Sequence, residues 1–232
     1  MAHILITGGT RGIGLAAAED LGRLGHRLSL VGVDEARARE AAERLRAEGH
    51  DVRGYACDVA SEEAVGRLAE QVGAVDILIL AAGVMSERMS KTLRTSPSEW
   101  HRVMSINFDG VLWPISALVP GMVERRAGRV IAVSACLGRM SGPGTSGGLA
   151  PYRVSKAAVN ALIKNLAAET GQGKRGVLVD VMCPNHCRTD MGGPDAPRSA
   201  KEGADTIVWL ATREGDDLET GLLWEDRQVI PW

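Results

Sequence analysis

The residues whose types and spacing could do chemistry lie in Ala150-Pro-Tyr-Arg-Val-Ser-Lys156. Tyr152 stands four residues before Lys156, at the head of a run, Ser155 to Ala168, that reads as helix. Residues i and i+4 share one helix face, so a phenol and an ammonium can enter one pocket. A cation beside a phenol favours phenolate, and the pairing is expected to bring the tyrosine down from about 10 toward neutrality. Such a group gives a proton to a carbonyl oxygen or takes one from an alcohol. The spacing alone also describes an ordinary surface pair, so its meaning rests on the elements around it.

Those elements read as strands alternating with helices. His3 to Thr7 is a short apolar strand, followed by Thr7-Gly-Gly-Thr-Arg-Gly-Ile-Gly14 and a helical pattern from Leu15 to Gly25. Strand, glycine-rich turn and helix form the context of a dinucleotide-binding loop, where glycines admit a pyrophosphate to the helix N-terminus. Arg27 to Gly32 and Asp51 to Cys57 read as the next strands, with a charged, alanine-rich helix from Glu35 to Glu48 between them. Ser61 caps a further helix, and Val75 to Leu80 has the continuous apolar character of a buried parallel strand. Ser98 to about Arg126 reads as a long helical region that Pro114 should bend or break. Arg129 to Ser134 and Val177 to Cys183 are strands, and Pro184 to Ala200 reads as irregular. Lys201 to Thr212 is a short helix, and Leu222-Leu223-Trp224 a last strand before the tail to Trp232. The pattern predicts an α/β protein: one doubly wound parallel sheet of about seven strands over residues 1–232.

Bulk properties narrow the function classes. The 232 residues are 45% hydrophobic and 24% charged, with a net charge of −2 that points to no nucleic-acid partner. Met1-Ala2-His3 leads straight into the first strand, and the apolar run Ala74 to Met85 is too short for a bilayer; a cytoplasmic protein is expected. Four cysteines suggest no disulfide framework. Cys183-Pro-Asn-His186-Cys187 lacks a fourth zinc ligand, so no metal is expected there.

In an open parallel sheet, ligands bind beyond the carboxyl ends of the strands. The glycine loop, Asp58 with Val59, Ala81-Ala82-Gly83, Ser134, Tyr152 with Lys156, and Thr189 all fall at such ends. On these residues the chain resembles the short-chain dehydrogenase/reductase family over essentially its whole length, in particular its carbonyl-reductase-like members. The resemblance implies a catalytic set of Asn107, Ser134, Tyr152 and Lys156. Tyr152 would be the acid/base, and Lys156 would lower its pKa and hold the nicotinamide ribose. Ser134 would bind the substrate oxygen, and Asn107 would hold a water linked to Lys156. It further implies a cofactor site of Gly8, Thr10, Arg11, Gly12, Ile13, Gly14, Val33, Asp58, Val59, Ala81, Ala82, Gly83, Tyr152, Lys156, Pro184, Cys187 and Thr189.

The chain departs from the family pattern at Leu80, where asparagine is frequent, and at Asn185-His186, where glycine and an aromatic residue are usual. At the end of the second strand the usual acidic position is Gly32 and the next is Val33, so neither the NAD nor the NADP signal is present. Arg11 can face a 2′-phosphate, whereas Asp34 reads as a helix cap; NADP(H) is therefore favoured over NAD(H). Substrate walls are expected at 135–151, rich in glycine, and at 185–200, with Met85, Met89, Leu137, Met140, Leu149, His186 and Met191 as pocket candidates. The expected function is NADPH-dependent reduction of a ketone or aldehyde by a homodimer or homotetramer, Trp113 and Trp232 being possible contacts. The alternatives are an NAD-dependent alcohol dehydrogenase on the same site and a cofactor-sensing protein without turnover.

Overall fold

Strands with every side chain buried belong in the middle of a sheet covered on both faces. β1 (His3–Thr7) is such a strand, and α1 (Gly12–Arg23) follows it. The alternation continues through β2 (Arg27–Gly32), α2 (Glu35–Ala47), β3 (Val52–Ala56) and α3 (Glu62–Val72) to β4 (Ile77–Leu80), again buried throughout. Next come α4 (Pro97–Met104), α5 (Gly110–Glu124), β5 (Gly128–Val133), α6 (Ala150–Glu169) and β6 (Val177–Met182). The chain closes with β7 (Cys187–Arg188), β8 (Arg198–Ser199), α7 (Ala200–Thr212), β9 (Leu223–Glu225) and β10 (Gln228–Ile230). This computed structural model describes residues 1–87, 90–215 and 218–232; Met89 lies outside them.

Eight strands form one sheet in the order β10-β9-β6-β5-β4-β1-β2-β3, parallel except for β10. Successive side chains of a strand point to opposite faces, and the sequence uses both. Ile4 and Ile6 enter the core under α1, α2 and α7, while Leu5 enters the core under α3, α5 and α6. β1 lies between β2 and β4, so the chain winds outward to β3 and then returns. That reversal opens a crevice at the carboxyl ends of β1 and β4.

Several elements differ from the sequence expectation. α6 starts at Ala150, not Ser155, which makes Tyr152 helical; Pro151 sits in its first turn, where the missing N–H is harmless. The long helix departs from regularity not at Pro114 but at a π-helical turn, Ser105–Asp109. A proline disturbs the carbonyl four residues back, here Gly110, which borders that widened turn. The segment 184–200 contains the short β7–β8 ladder. The final strand is one arm of a hairpin turning at Asp226 and Arg227, both left-handed with φ of 51° and 61°. Pro97–Glu124 spans 28 residues and contains an 18-residue window of mean hydropathy 1.3, enough by length and composition for a membrane span. Here Val111, Ile115, Val119 and Met122 of this segment are buried in the core beneath the sheet.

β6 is fastened to the C-terminal segment by one buried ion pair. Asp180 accepts from Arg213 Nη2 at 2.6 Å and from Trp224 Nε1 at 3.0 Å. The guanidinium lies 5.3 Å from the Trp209 ring and 5.1 Å from that of Trp224. Burial raises the Asp180 pKa and lowers that of Arg213, so desolvation outweighs their attraction. Such a pair adds little net stability, but removing one member strands the other charge. Arg213→Ala is expected to lower unfolding stability by about 3–5 kcal/mol in denaturant titration. A loss below about 1 kcal/mol would mean that the pair is solvated.

Candidate active site

The glycine loop reaches the crevice because two of its positions cannot carry a side chain. Gly8 has φ of 66°, and a Cβ there would lie 2.8 Å from the Ala82 backbone. At Gly14 it would collide with the Gly8 carbonyl oxygen. The loop therefore lies flat against Ala81-Ala82-Gly83, where Thr7 accepts from the amides of Ala81 and Ala82 at 3.1 and 3.4 Å. Asp34, Ser61, Ser96 and Ser199 cap α2, α3, α4 and α7 with side-chain hydrogen bonds. α1 has no such cap and no acid in its first turn. Its first amides are left for an anion, which fits a dinucleotide pyrophosphate beside Gly12, Ile13 and Gly14.

Around that anchor the structure places the remaining cofactor candidates along the crevice. Thr10 packs where a Cβ on Gly32 would go, 2.8 Å away, which explains why the position usual for an acid is glycine. Val33 is 75% exposed at the end of β2, in a hollow shared with Asp34, Glu35, Ala36 and Arg39. Asp34 accepts from the Arg37 amide and is engaged as the α2 cap. Asp58 turns the chain by accepting from the Ala60 amide, and Val59 packs on Gly110 of α5. Arg11, expected to face a 2′-phosphate, instead pairs with Asp190 at 2.7 Å. Thr189 lies against Gly12, so the 185–200 segment meets the glycine loop across the crevice. The Cys187 thiol turns away, toward the Pro184 carbonyl at 3.2 Å.

The four residues of the expected catalytic set converge where β4, β5 and α6 meet. Lys156 is buried, and its Nζ donates to the Val133 carbonyl at 2.8 Å. A Cβ on Gly83 would stand 3.6 Å from that Nζ and 3.3 Å from Asn107 Oδ1, which puts both beside the end of β4. Asn107, brought inward by the π-helical turn, accepts from the Val84 amide at 2.7 Å. Its Nδ2 donates to the Val84 carbonyl and to Ser155 Oγ at 2.9 and 3.0 Å. Ser134 follows β5 directly, and its hydroxyl donates to the Lys156 carbonyl at 3.3 Å. The Tyr152 ring lies 5.9 Å from Lys156 Nζ, and its hydroxyl makes no hydrogen bond with the described residues.

The electrostatics of this cluster reverse one expectation. Tyr152 is not brought toward neutrality; burial pushes its pKa up, with the Cys183 and Cys136 thiols adding to the rise. Lys156 does not offset this, because burial lowers its own pKa to about 8. In a dry site both groups shift toward their neutral forms, the phenol upward and the ammonium downward. The phenol is thereby held in its protonated form at neutral pH, as a weaker acid than a free tyrosine.

The segments expected to wall the substrate are built rather than loose. Arg153 donates to the carbonyls of Gly148, Pro143, Gly144 and Leu137 at 2.8, 3.0, 3.3 and 3.5 Å, tying the glycine-rich segment to α6. Leu149 at the end of that segment is left-handed, φ 53°. Met140 and Met191 are exposed on these two segments, and Met85 and Leu137 are half-buried. His186 is exposed and bonds the Gly192 carbonyl. Among the described residues no group of three or more His, Cys, Asp or Glu could hold a metal.

Three contributors escape sequence reading. Ser155 donates to the Tyr152 carbonyl at 2.8 Å while holding Asn107, and its place between tyrosine and lysine was the available signal. Ser86 accepts from the Tyr152 amide, and the Ser90 carbonyl accepts from the Ala150 amide, so the segment after β4 seats the start of α6.

Comparison with known proteins agrees with this geometry. Residues 2–200 match the short chain dehydrogenase family. The chain is 33% identical over 231 residues to oxidoreductase UcpA of Salmonella typhimurium, covering 94% of this chain and 84% of that one. It is 31% identical over 228 residues to the 3-oxoacyl-[acyl-carrier-protein] reductase FabG of Pseudomonas aeruginosa, covering 96% and 89%. A crystal structure of a 3-oxoacyl-[acyl-carrier protein] reductase with bound NAD from Brucella melitensis superposes with TM-score 0.84 at 28% identity, covering 96% and 88%. With its uncapped phosphate-side helix and its tyrosine and lysine on one helix face, the chain belongs to the short-chain dehydrogenase/reductase family of NAD(P)-dependent oxidoreductases.

Proposed function

We infer that this oxidoreductase reduces a ketone or aldehyde to an alcohol with NADPH, Tyr152 giving the proton. The observation that carries the reading is a phenol kept protonated by burial, one helical turn from a buried ammonium at the mouth of the crevice. A protonated donor suits reduction, since the carbonyl oxygen must gain a proton as the carbon gains hydride. A bound nicotinamide supplies the hydride, and this chain supplies position and the proton. Lys156 holds its charge beneath the Tyr152 ring and beside Gly83, where a ribose would lie. For Ser134 to steady the developing oxyanion, its hydroxyl must turn from the Lys156 carbonyl to the substrate. Asn107 keeps the Val84 turn and Ser155 in register, which fixes the backbone of Tyr152. Residues 1–232 act as a single cofactor-binding unit with substrate walls at 135–151 and 185–200, in a cytoplasmic homodimer or homotetramer.

Tyr152→Phe removes the proton but little volume, and turnover should fall about 100- to 10,000-fold with cofactor binding retained. A screen of carbonyl compounds by loss of reduced-nicotinamide absorbance supplies the assay. Wild-type turnover that survives the substitution would favour a different proton donor, and no turnover on any carbonyl would favour the cofactor-sensing alternative.

Lys156 also predicts a pH dependence of stability. Its pKa is about 8 when folded against a reference of 10.5. Between those values the unfolded chain binds more protons, so stability rises with pH in that window. Below it, the buried charge costs the folded state about 3 kcal/mol. The stability of Lys156→Met relative to wild type should therefore decline by about 3 kcal/mol from pH 6 to pH 10.5. A difference independent of pH would place the ammonium in water.

One observation favours NAD(H) as a second reading, namely the hold of Asp190 on Arg11. In the NADPH reading Arg11 exchanges Asp190 for the 2′-phosphate, which an exposed pair permits at a cost of about 1 kcal/mol or less. Asp190→Ala should then raise the NADPH over NADH ratio of kcat/KM several-fold, chiefly through KM for NADPH. An unchanged ratio together with a wild-type preference for NADH would establish the second reading.

A further inference from the structure

α4 and the π-helical turn that continues it grip the segment after β4 at four main-chain groups. Asn107, in that turn, holds the amide and the carbonyl of Val84 at 2.7 and 2.9 Å. In the first turn of α4, the Glu99 carboxylate accepts from the Glu87 amide at 2.8 Å. Arg102 Nη2 donates to the Met85 carbonyl at 2.9 Å. The acid and the base are also joined to each other, Nε to Oε2 at 2.7 Å and Nη2 to Oε1 at 3.0 Å. Glu99 is 6% exposed, yet the guanidinium beside it holds its carboxyl below the usual carboxylate range. The pair is therefore ionised at neutral pH.

Glu99 gives up a local role to make this contact. Ser96-Pro-Ser-Glu99 has the spacing of a capping box, in which the acid returns to the amide of the cap residue. On α7 Ser199 and Glu202 complete such a box, the carboxylate accepting from the Ser199 amide at 2.6 Å. On α4 Ser96 Oγ accepts from the Glu99 amide at 3.2 Å, but the carboxylate turns across to Glu87. Between the gripped groups sits Ser86, 4% exposed, whose hydroxyl accepts from the Tyr152 amide at 3.0 Å. That amide lies in the first turn of α6, where a helix has no partner of its own to offer. Leu149, the residue before the helix, gives no side-chain cap. Ser86 thus supplies from another segment the acceptor that α6 lacks.

We propose that Glu99 and Arg102 are positioning residues for the reduction, a clamp that fixes Ser86 and through it the seat of Tyr152. The inference rests on the reading of Tyr152 as proton donor. A carbonyl oxygen must stand within hydrogen-bond reach of the phenol as hydride arrives, and a misplacement of about 1 Å costs about 100-fold in rate. Without the carboxylate, the Glu87 amide loses a charged acceptor and Arg102 loses the partner that aims it at Met85. Ser86 is then held through Val84 on one side only. The uncapped amides of α1 lie outside this network, so cofactor binding is expected to survive.

Tyr55 and Tyr152 are the only tyrosines, so isotope labelling of tyrosine nitrogen gives one amide signal for each, and Tyr152→Phe tells them apart. In Glu99→Ala the Tyr152 amide should shift and exchange faster with solvent while Tyr55 stays in place. In the carbonyl assay kcat should fall about 10- to 100-fold, with KM and the affinity for reduced nicotinamide retained. Glu99→Gln keeps an acceptor for the Glu87 amide; it should retain more of kcat, and it carries the test if circular dichroism shows Glu99→Ala unfolded. Ser86→Ala combined with either variant should lose no more than Ser86→Ala alone, since both break one chain of contacts. An unmoved Tyr152 amide in a folded variant would overturn the clamp, and additive losses would overturn its route through Ser86. A shifted amide with full kcat would overturn its part in turnover. The amide signals do not depend on activity: a wild-type chain that reduces no carbonyl would sink the reductase reading, and they would still decide the clamp.

Discussion

A buried ammonium donating to the end of a buried strand holds the crevice together. Lys156 Nζ meets the Val133 carbonyl at 2.8 Å, in a space too tight for side chains at Gly138. A charge in that position is costly, and the downward shift to about 8 expresses the cost. It also fixes the geometry, because Lys156 sits on α6 one turn after Tyr152. Anchoring the lysine to β5 sets the depth at which the phenol is held. The same dry surroundings that weaken the lysine as a cation hold the tyrosine in its neutral, protonated form.

The second constraint is the close approach of glycine backbone to its neighbours. Gly8 against Ala82, Gly12 against Thr189 and Gly138 against Lys156 leave room for backbone and little else. These contacts bring the carboxyl ends of β1, β4, β5 and β6 into one crevice lined by amides and carbonyls. Side-chain staples then shape the walls: Arg153 gathers four carbonyls on one side, and Arg11 with Asp190 links the loops on the other. The former is partly enclosed and fixes a wall, whereas the latter is exposed and can exchange partners.

Much of this was legible because it depends on local pattern. The buried parallel strands show as continuous apolar runs, and Ile4, Leu5 and Ile6 divide between two cores as strand geometry requires. The hairpin at Asp226 and Arg227 was hidden because the second turn position, where glycine is the usual mark, is an arginine. The start of α6 was misplaced since Ser86 and Ser90, sixty or more residues earlier, seat it.

The sequence by itself determined which chemical groups are available, and in what order: a glycine loop after the first strand, then Asn107, Ser134, Tyr152 and Lys156. Residue type, period and spacing are properties of the chain, and they survive without coordinates. Only the tertiary structure decided the protonation of those groups, because a pKa depends on how much water and which charges surround the atom in space. Hence Tyr152 moved up rather than down and Arg11 found Asp190, since desolvation and distance exist only once the chain has folded.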